Sequence, residues 1–512
     1  MKNWRSLLAI VAVAVTTKAA AQDPAEAYNL SNTTVQGTAR SIGFGGALGS
    51  IGGDFSAISV NPAGLGVYRS SELSFTPSLK INSSSSVFQG ETSNDNNARI
   101  TINNFGIVLT EAPKGKRYER RSWKAVSFAL GMNRIADFNH DYNYQGNNNT
   151  SSASLAFEAD ANHYPGNVST PGTLAYTGYN AYLINIPLNN YYTAVPFAGG
   201  IRQTNAIQER GGISEYLMSL GGNYREKLLL GATIGIDNMN YTRSSNYTES
   251  ILAGNTYNPQ NFQSFTYNNQ LNITGIGANL KIGAIYKITD FLRIGAALHT
   301  PTIYGMHEYT DYGIISKESG LTHSFSTANL LPVQAADYTF ISPLKSVLSA
   351  SVIIKKWGFI TADYEYVDYS SMKYYYTTGY DSTRGLSYQQ EANEMNQRIK
   401  GAYQSASNLR IGAEIKLTKY FMVRGGFGYY GNPYKAGYTS MERMDISAGV
   451  GFRSKNFFAD LGMVNSSYKF SEQAYNDIDY AHVATANTGA ASPVADVKYT
   501  MNNIALTLGV KF

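Results

Sequence analysis

The sequence predicts an all-β fold: a transmembrane antiparallel β-barrel of about fourteen strands, with a small N-terminal hatch plugging the lumen. Three observations carry this. Hydrophobicity alternates with a period of two over most of the chain, as half-buried strands do. Long polar connections strictly alternate with short turns, which is how an outer-membrane barrel places its external loops and periplasmic turns. After the first segment no apolar run approaches the roughly 18 residues of a membrane-spanning helix. The chain has 512 residues, which in a soluble protein would suggest about three domains, but only 15% are charged while 40 are Tyr and 48 are Gly. Those numbers suit strands with one face in lipid, and they also disfavour disorder. Cysteine is absent, excluding disulfides, thiolate metal sites and Cys nucleophiles together. The net charge of +5 is too diffuse for a nucleic-acid binder.

Residues 1–21 read as a secretory signal peptide. Lys2 and Arg5 precede the apolar stretch from Leu7 to Val15, and Ala19, Ala20 and Ala21 supply small residues for cleavage, so the mature chain is expected to begin near Gln22. This points to export, and with the barrel to the outer membrane of a Gram-negative cell. Residues 22–70 do not alternate and are available to fold inside the barrel as the hatch; 71–512 form the barrel.

Strands are predicted at 72–82, 99–110, 123–135, 212–223, 227–242, 268–287, 290–306, 336–354, 357–374, 406–417, 420–431, 442–453, 456–470 and 499–512. The pattern is plain at the C-terminus, where Ile504, Leu506, Leu508, Val510 and Phe512 alternate with Asn503, Ala505, Thr507, Gly509 and Lys511. Most of these strands have the ~9–11 residues needed to cross a bilayer with tilt. Long external loops are expected at 83–98, 136–211, 243–267, 307–335, 375–405, 432–441 and 471–498, with 136–211 the longest. Trp123, Phe291, Trp357, Tyr420 and Phe457 lie beside short turns, and Tyr374, Tyr375, Tyr376, Tyr429 and Tyr430 beside long loops, as two interfacial girdles would. A closed barrel satisfies every backbone polar group within hydrocarbon.

The segment before the first strand contains Thr38-Ala39-Arg40-Ser41-Ile42-Gly43-Phe44-Gly45-Gly46-Ala47-Leu48, then Gly52-Gly53-Asp54-Phe55-Ser56-Ala57, then Asn61-Pro62-Ala63-Gly64-Leu65. With the fourteen strands and the terminal Phe512, this resembles the FadL/TodX family of outer-membrane transporters for long-chain fatty acids and other hydrophobic compounds. The resemblance implies passive uptake of such molecules without a cofactor. It implies a hatch whose Asn61, Pro62, Ala63 and Gly64 act as a gate against the wall near strand three, and an inward bend of that strand opening a lateral exit. Strand three presents Ala125, Ser127, Ala129 and Gly131 inward. Gly131 can support a bend, or simply leave packing room. Phe512 looks like the terminal aromatic read by the outer-membrane assembly machinery. The expected partners are therefore that machinery, outer-membrane lipid and a hydrophobic small-molecule ligand, for a monomer.

Ligand-binding candidates are Phe44 and Leu48 in the hatch and Leu183, Ile186, Leu188 and Phe197 in the apolar part of loop 136–211, where a capture groove is expected; a self-packed loop capping the barrel is the alternative. The inward register also carries Arg293, Asp363, Glu365, Arg410, Glu414, Lys416, Arg424, Asp445, Arg453, Asp460 and Lys511. Most are expected to be solvated or paired, with Arg293 and Arg424 as candidates for a carboxylate head group. No metal or hydrolase motif is present among His140, His163, His299, His307, His323 and His482, so an enzyme is not expected. Haemin uptake is an alternative, because family members are sometimes described as haemin receptors. A protein-interacting barrel serving secretion or surface attachment is an alternative of another class.

Overall fold

The computed structural model describes residues 24–512 except 171–172, 186–189, 319, 327–333, 377–379, 382–385, 437–439 and 476–491. The expected signal peptide lies outside the described residues. Fourteen antiparallel strands close into one barrel. They are β1 (Glu72–Phe88), β2 (Glu91–Glu111), β3 (Trp123–Asp137, continued by His140–Asn148), β4 (Ile201–Tyr224), β5 (Leu228–Ile251), β6 (Phe262–Lys287) and β7 (Leu292–His299, continued by Ile303–Glu318). The circuit goes on through β8 (Gln334–Ile341 and Lys345–Ile354), β9 (Gly358–Asp368 and Lys373–Tyr376), β10 (Ser405–Lys416), β11 (Phe421–Tyr430), β12 (Arg443–Arg453), β13 (Phe457–Gln473) and β14 (Val494–Lys511). The pairing of β14 with β1, from Lys511↔Glu72 to Ala495↔Phe88, closes it.

Each predicted strand corresponds to one barrel strand, but several expected loops are strand. Residues 83–98 form a hairpin whose turn is Gln89-Gly90, both at positive φ, and β5, β6 and β7 likewise run far into 243–267 and 307–335. Residues 136–211 contain the β3 continuation and the first turns of β4. The reason is physical: beyond the bilayer the outward face no longer needs apolar residues, so the alternation fades while the hydrogen-bonded ladder continues.

Alternation sets the faces. Along β1, Leu73, Phe75, Leu79 and Ile81 are exposed to the lipid side, whereas Ser74, Thr76, Ser78, Lys80 and Asn82 are buried inside. Trp123, Phe291, Trp357, Tyr420 and Phe457 are all exposed beside the short turns. In the expected outer girdle Tyr375 is exposed, but Tyr374 and Tyr430 are buried, because period two sends alternate tyrosines of a cluster inward.

Among the described residues there are six α-helices: α1 (Pro24–Ser31) and α2 (Ala39–Gly43) before β1, α3 (Lys116–Arg120) in the β2–β3 connection, α4 (Ser154–His163) and α5 (Leu174–Asn180) between β3 and β4, and α6 (Tyr388–Ala402) between β9 and β10. α6 begins with a capping box between Ser387 and Gln390. The lumen is filled in layers. At the periplasmic end lies the N-terminal segment. Above it a layer of Tyr304, Met306, Tyr338, Phe340, Tyr369 and Tyr374 packs around Ala27, Tyr28 and Leu30 of α1 and is covered by Met395 and Ile399 of α6. Outermost is a cap with its own core of Phe157, Leu183, Ile184, Tyr247 and Phe265.

Candidate functional site

The N-terminal segment is tied into a knot by its short polar residues. Thr38 accepts from Ser41 N at the start of α2, and its hydroxyl donates to Asp54 at 2.7 Å. Asp54 in turn accepts from Ser56 N at 2.9 Å, capping a 3-10 turn at Phe55–Ser59. Asn61 caps a second, at Pro62–Val67, accepting from Ala63 N at 3.1 Å, with Pro62 pre-set for the first position. Gly52, at φ +63°, lies where a Cβ would sit 2.6 Å from Gly64 Cα, so the two turns pack backbone on backbone.

This knot meets a ring of glycines on the inner wall. A Cβ on Gly131 would lie 2.5 Å from Phe55 Cζ, one on Gly231 2.6 Å from Ala63 N, and one on Gly426 2.5 Å from Gly45 N. Asn61 also donates to Gly49 O at 2.7 Å and to the wall carbonyls of Ala284 (3.2 Å) and Ala296 (3.4 Å). Charges complete the seal: Arg40 pairs with Glu414 at 3.0 Å, and Arg424 with Glu414 at 2.8 Å and Asp460 at 2.7 Å. Asp363 accepts from Gly49 N at 3.0 Å.

Above the knot is a polar chamber of about 120 Å³, lined among others by Gln36, Glu215, Asp237, Lys281, His299 and Lys345. Much of its wall is internally paired: Lys281 bonds Glu215, Tyr304 OH donates to Asp237 at 2.7 Å, and His299 Nε2 donates to Val60 O at 2.8 Å.

Beside this chamber the wall is interrupted. The β2–β3 ladder runs from Glu111↔Val126 to Asn104↔Asn133 and stops there. β3 bulges between Arg134 and Ala136, opposite Ser214 and Ile213, next to Gly212 and Gly211, whose φ values are +155° and +117°. Arg134 donates to Gly211 O at 2.6 Å and to Asp137 at 3.0 Å. The strand then turns inward. Thr34 N of the N-terminal segment donates to Ile135 O at 3.0 Å, Lys80 of β1 bonds Asp137 at 2.5 Å, and Asn82 and Tyr499 both donate to Asn139 O. β3 thus reaches past β2 to β1 and β14. The gap is closed again above by Asn143 Nδ2 donating to Asn94 O at 3.3 Å. What remains is a window between residues 95–103 of β2 and the kinked part of β3. Arg99 stands opposite the fully buried Lys80, in the lumen-facing register, and is nevertheless exposed.

The structure relocates most of the sequence candidates. Asn61, Pro62, Ala63 and Gly64 lie against β4 to β7 and the turn at Gly52, where Gly221, Gly231, Gly283 and Gly295 admit their backbone; the same 3-10 turn, Pro62–Val67, also touches strand three, beside Phe55. Gly131 is regularly paired and gives room to Phe55, while the bend falls three to five residues later. Phe44 and Leu48 are 0% exposed in the interface with β9 to β11, where Phe44 meets Phe359 edge-on at 5.6 Å, so both side chains pack the hatch against the wall. Arg424 pairs through Nε and Nη1 with its two carboxylates, leaving Nη2 buried without a hydrogen bond. Arg293 is half-buried near the periplasmic end, has no ion pair among the described residues, and its Nε lacks a hydrogen bond. Lys416, in the inward register, is exposed because it stands beyond the knot at the mouth.

Leu183 is 0% exposed inside the cap core and Phe197 packs half-buried against it, so the expected capture groove gives way to a self-packed cap; Ile186 and Leu188 lie outside the described residues. His299 lies in its expected strand, and His140, His307 and His323 lie in strands where loops were expected; they face separate partners, Val60 O, Glu209, Asp337 and Glu318 respectively. Arg134, Asp137, Lys80 and Arg99, which shape the window, were not singled out from the sequence. The usable signal was the Gly211-Gly212 pair inside a strand.

No family model and no curated protein matches the chain. Solved structures do. A Pseudomonas aeruginosa FadL homologue matches with a TM-score of 0.53 at 12% identity, over 94% of this chain and 99% of its own. The P. putida toluene transporter TodX matches with a TM-score of 0.52 at 11% identity, over 93% and 99%. The Ralstonia pickettii toluene transporter TbuX matches with a TM-score of 0.50 at 15% identity, over 93% and 99%. At such identities the likeness is one of architecture: the chain has the fold of the FadL and TodX transporters from end to end.

Proposed function

We propose that the protein carries hydrophobic small molecules, such as long-chain fatty acids or monoaromatic hydrocarbons, passively across the outer membrane of a Gram-negative bacterium. The N-terminal segment acts as the hatch and the window between β2 and β3 as the lateral exit. The window is the observation that carries this reading. A barrel whose only task is to be a stable wall has no use for an unpaired stretch of strand, since open ladder within a membrane is costly. The straight route is stopped by the hatch on its glycine ring, whereas the polar chamber abuts the kinked strand. The outer lumen supports an apolar ligand, being lined by Tyr, Met and Phe where α1 now inserts Tyr28, 5.2 Å from the ring of Tyr369. The likeness in fold to a FadL homologue and to toluene transporters supports the same class of cargo.

The test exploits the absence of cysteine. Thr34→Cys with Ile135→Cys places one thiol on the hatch and one on the bend, at residues already joined by a backbone hydrogen bond of 3.0 Å. Oxidised protein in proteoliposomes is expected to lose uptake of toluene and of a long-chain fatty acid, and reduction to restore it. Full uptake by cross-linked protein overturns the reading. Haemin, offered in parallel, reports whether the cargo extends to it.

A further inference from the structure

The open edge of β2 carries donors without acceptors. Its lumen-register residues are Asn97, Arg99 and Thr101, followed by Asn103, the extra residue of a bulge opposite Thr76 and Pro77. Asn97 Oδ1 accepts from Asn82 at 3.0 Å, which fixes that amide, and Asn103 Oδ1 accepts from Thr101 Oγ1 at 3.3 Å. Their Nδ2 atoms are left buried with no hydrogen-bond partner, and Asn103 is 0% exposed. Between them Arg99 has no carboxylate partner among the described residues. The nearby acids are already taken up: Asp137 by Lys80 and Arg134, and Asp95 by Asn143 at 3.3 Å. On the outer face of the same strand Ile100 and Ile102 are exposed to the bilayer, at 81% and 49%.

Unpaired buried donors are costly, and a guanidinium at the edge of hydrocarbon more so. An anion in the window removes both costs, and at roughly 3.3 Å per residue Asn97 and Arg99 are about 7 Å apart along the strand, within reach of one small oxyanion. We propose that Arg99, with the amide of Asn97, binds the carboxylate of an amphipathic ligand in the window, its apolar tail lying along Ile100 and Ile102 toward the bilayer. The site rests on the window being the exit and narrows the cargo to amphipathic acids held, in passing, by the head group.

The experiment compares cis-parinaric acid with its methyl ester, by fluorescence, on protein in phosphatidylcholine nanodiscs free of lipopolysaccharide. Wild type is expected to prefer the acid by on the order of tenfold or more, the size of a charge-assisted hydrogen-bond set. Arg99→Ala is expected to abolish the preference without weakening the ester, and Arg99→Lys to keep part of it. Equal binding of acid and ester by wild type, or equal weakening of both by Arg99→Ala, overturns the site. Retained barrel migration on unheated gels excludes misfolding. A lipopolysaccharide phosphate is the other source of such an anion: if native mass spectrometry shows that Arg99→Ala sheds bound lipopolysaccharide while wild type has no acid preference, the carboxylate assignment falls. Toluene uptake separates the two levels. If the Thr34–Ile135 cross-link leaves it intact, the exit fails even where acid preference holds; if the cross-link blocks it and acid preference is absent, only the head-group site fails.

Discussion

Replacing Gly231 by Ala tests whether the hatch depends on the glycine ring. The new Cβ would lie 2.6 Å from Ala63 N and closer still to the carbonyl of Pro62, whereas ordinary contact begins at 3.4 Å. All of these atoms are backbone, so no side chain can rotate away and the turn at Pro62–Val67 must retreat by about 1 Å, against the close packing of the interface. That movement takes Asn61 out of reach of Ala284 O and Ala296 O, now at 3.2 and 3.4 Å. Two hydrogen bonds at ~0.5–1.5 kcal/mol each make the loss about 1–3 kcal/mol. The barrel's ladder is untouched, since Gly231 stays paired with Gly221 and Gly283. The expected outcome is a barrel that still resists unfolding on unheated gels but shows raised conductance in planar bilayers and faster proteolysis near Asn61. Gly305→Ala, where a Cβ would meet nothing within 4 Å, is the control and should behave as wild type. Wild-type conductance and protease resistance in Gly231→Ala would refute the docking argument.

Other outcomes follow from the same geometry. Lys80→Met strands Asp137, 1% exposed, beside Arg134 alone, and should cost up to about 3–5 kcal/mol in denaturant titrations, most of it recovered in the Lys80→Met/Asp137→Asn double variant; equal losses in the single and double variants would contradict the pairing. At the periplasmic turn, burial pushes the Glu226 carboxyl up, but hydrogen bonds from Tyr118 (2.7 Å) and Lys287 (3.0 Å) and the Arg69 guanidinium outweigh it and bring it down to about 2 from 4.5. The tether it makes between hatch and turn is therefore fully present above pH about 4.5 and lost as pH falls toward about 2, so proteolysis at Arg69 should rise over that window in wild type and show no such pH dependence in Glu226→Gln. In the cap, burial raises the Glu249 carboxyl despite donors from Ser152, Ala153 and Tyr247, with no cation paired to it among the described residues. A raised acid contributes stability at low pH that is lost as pH rises through its folded value, so Glu249→Gln should raise the cap's unfolding midpoint at pH 8 and leave it unchanged at pH 4.

Much of the architecture was legible because lipid imposes a strict rule on one face of every strand. Leu292, Ile294 and Leu298 had to be apolar, and the register of Arg293, Gly295 and His299 followed without further information. The abundance of glycine on the inner face was legible too, as room for the hatch. Its pairing was not: whether Gly231 answers Pro62 or Phe44 depends on how a segment without alternation folds, and that is set by contacts between residues far apart in the chain. The same holds for the lumen charges. Alternation told that Arg424, Glu414 and Asp460 face inward, but only the closed barrel brings the Arg424 guanidinium within 3 Å of both carboxylates. The outer ends of β1, β2, β5 and β6 read as loops because the signal being read was contact with lipid rather than strand pairing, and the two part company at the membrane surface.

By itself the sequence determined a membrane barrel, its strand count, its two ends and a plug ahead of the first strand, because hydrophobic alternation and loop length are local and the bilayer reads them locally. Only the tertiary structure decided where the wall is open. The window exists because β3 leaves β2 at Arg134 and is held inward by Lys80, Asn82, Thr34 and Tyr499, residues from three separate parts of the chain. A strand's choice of partner is a competition between ladders, and no single strand's sequence records its outcome.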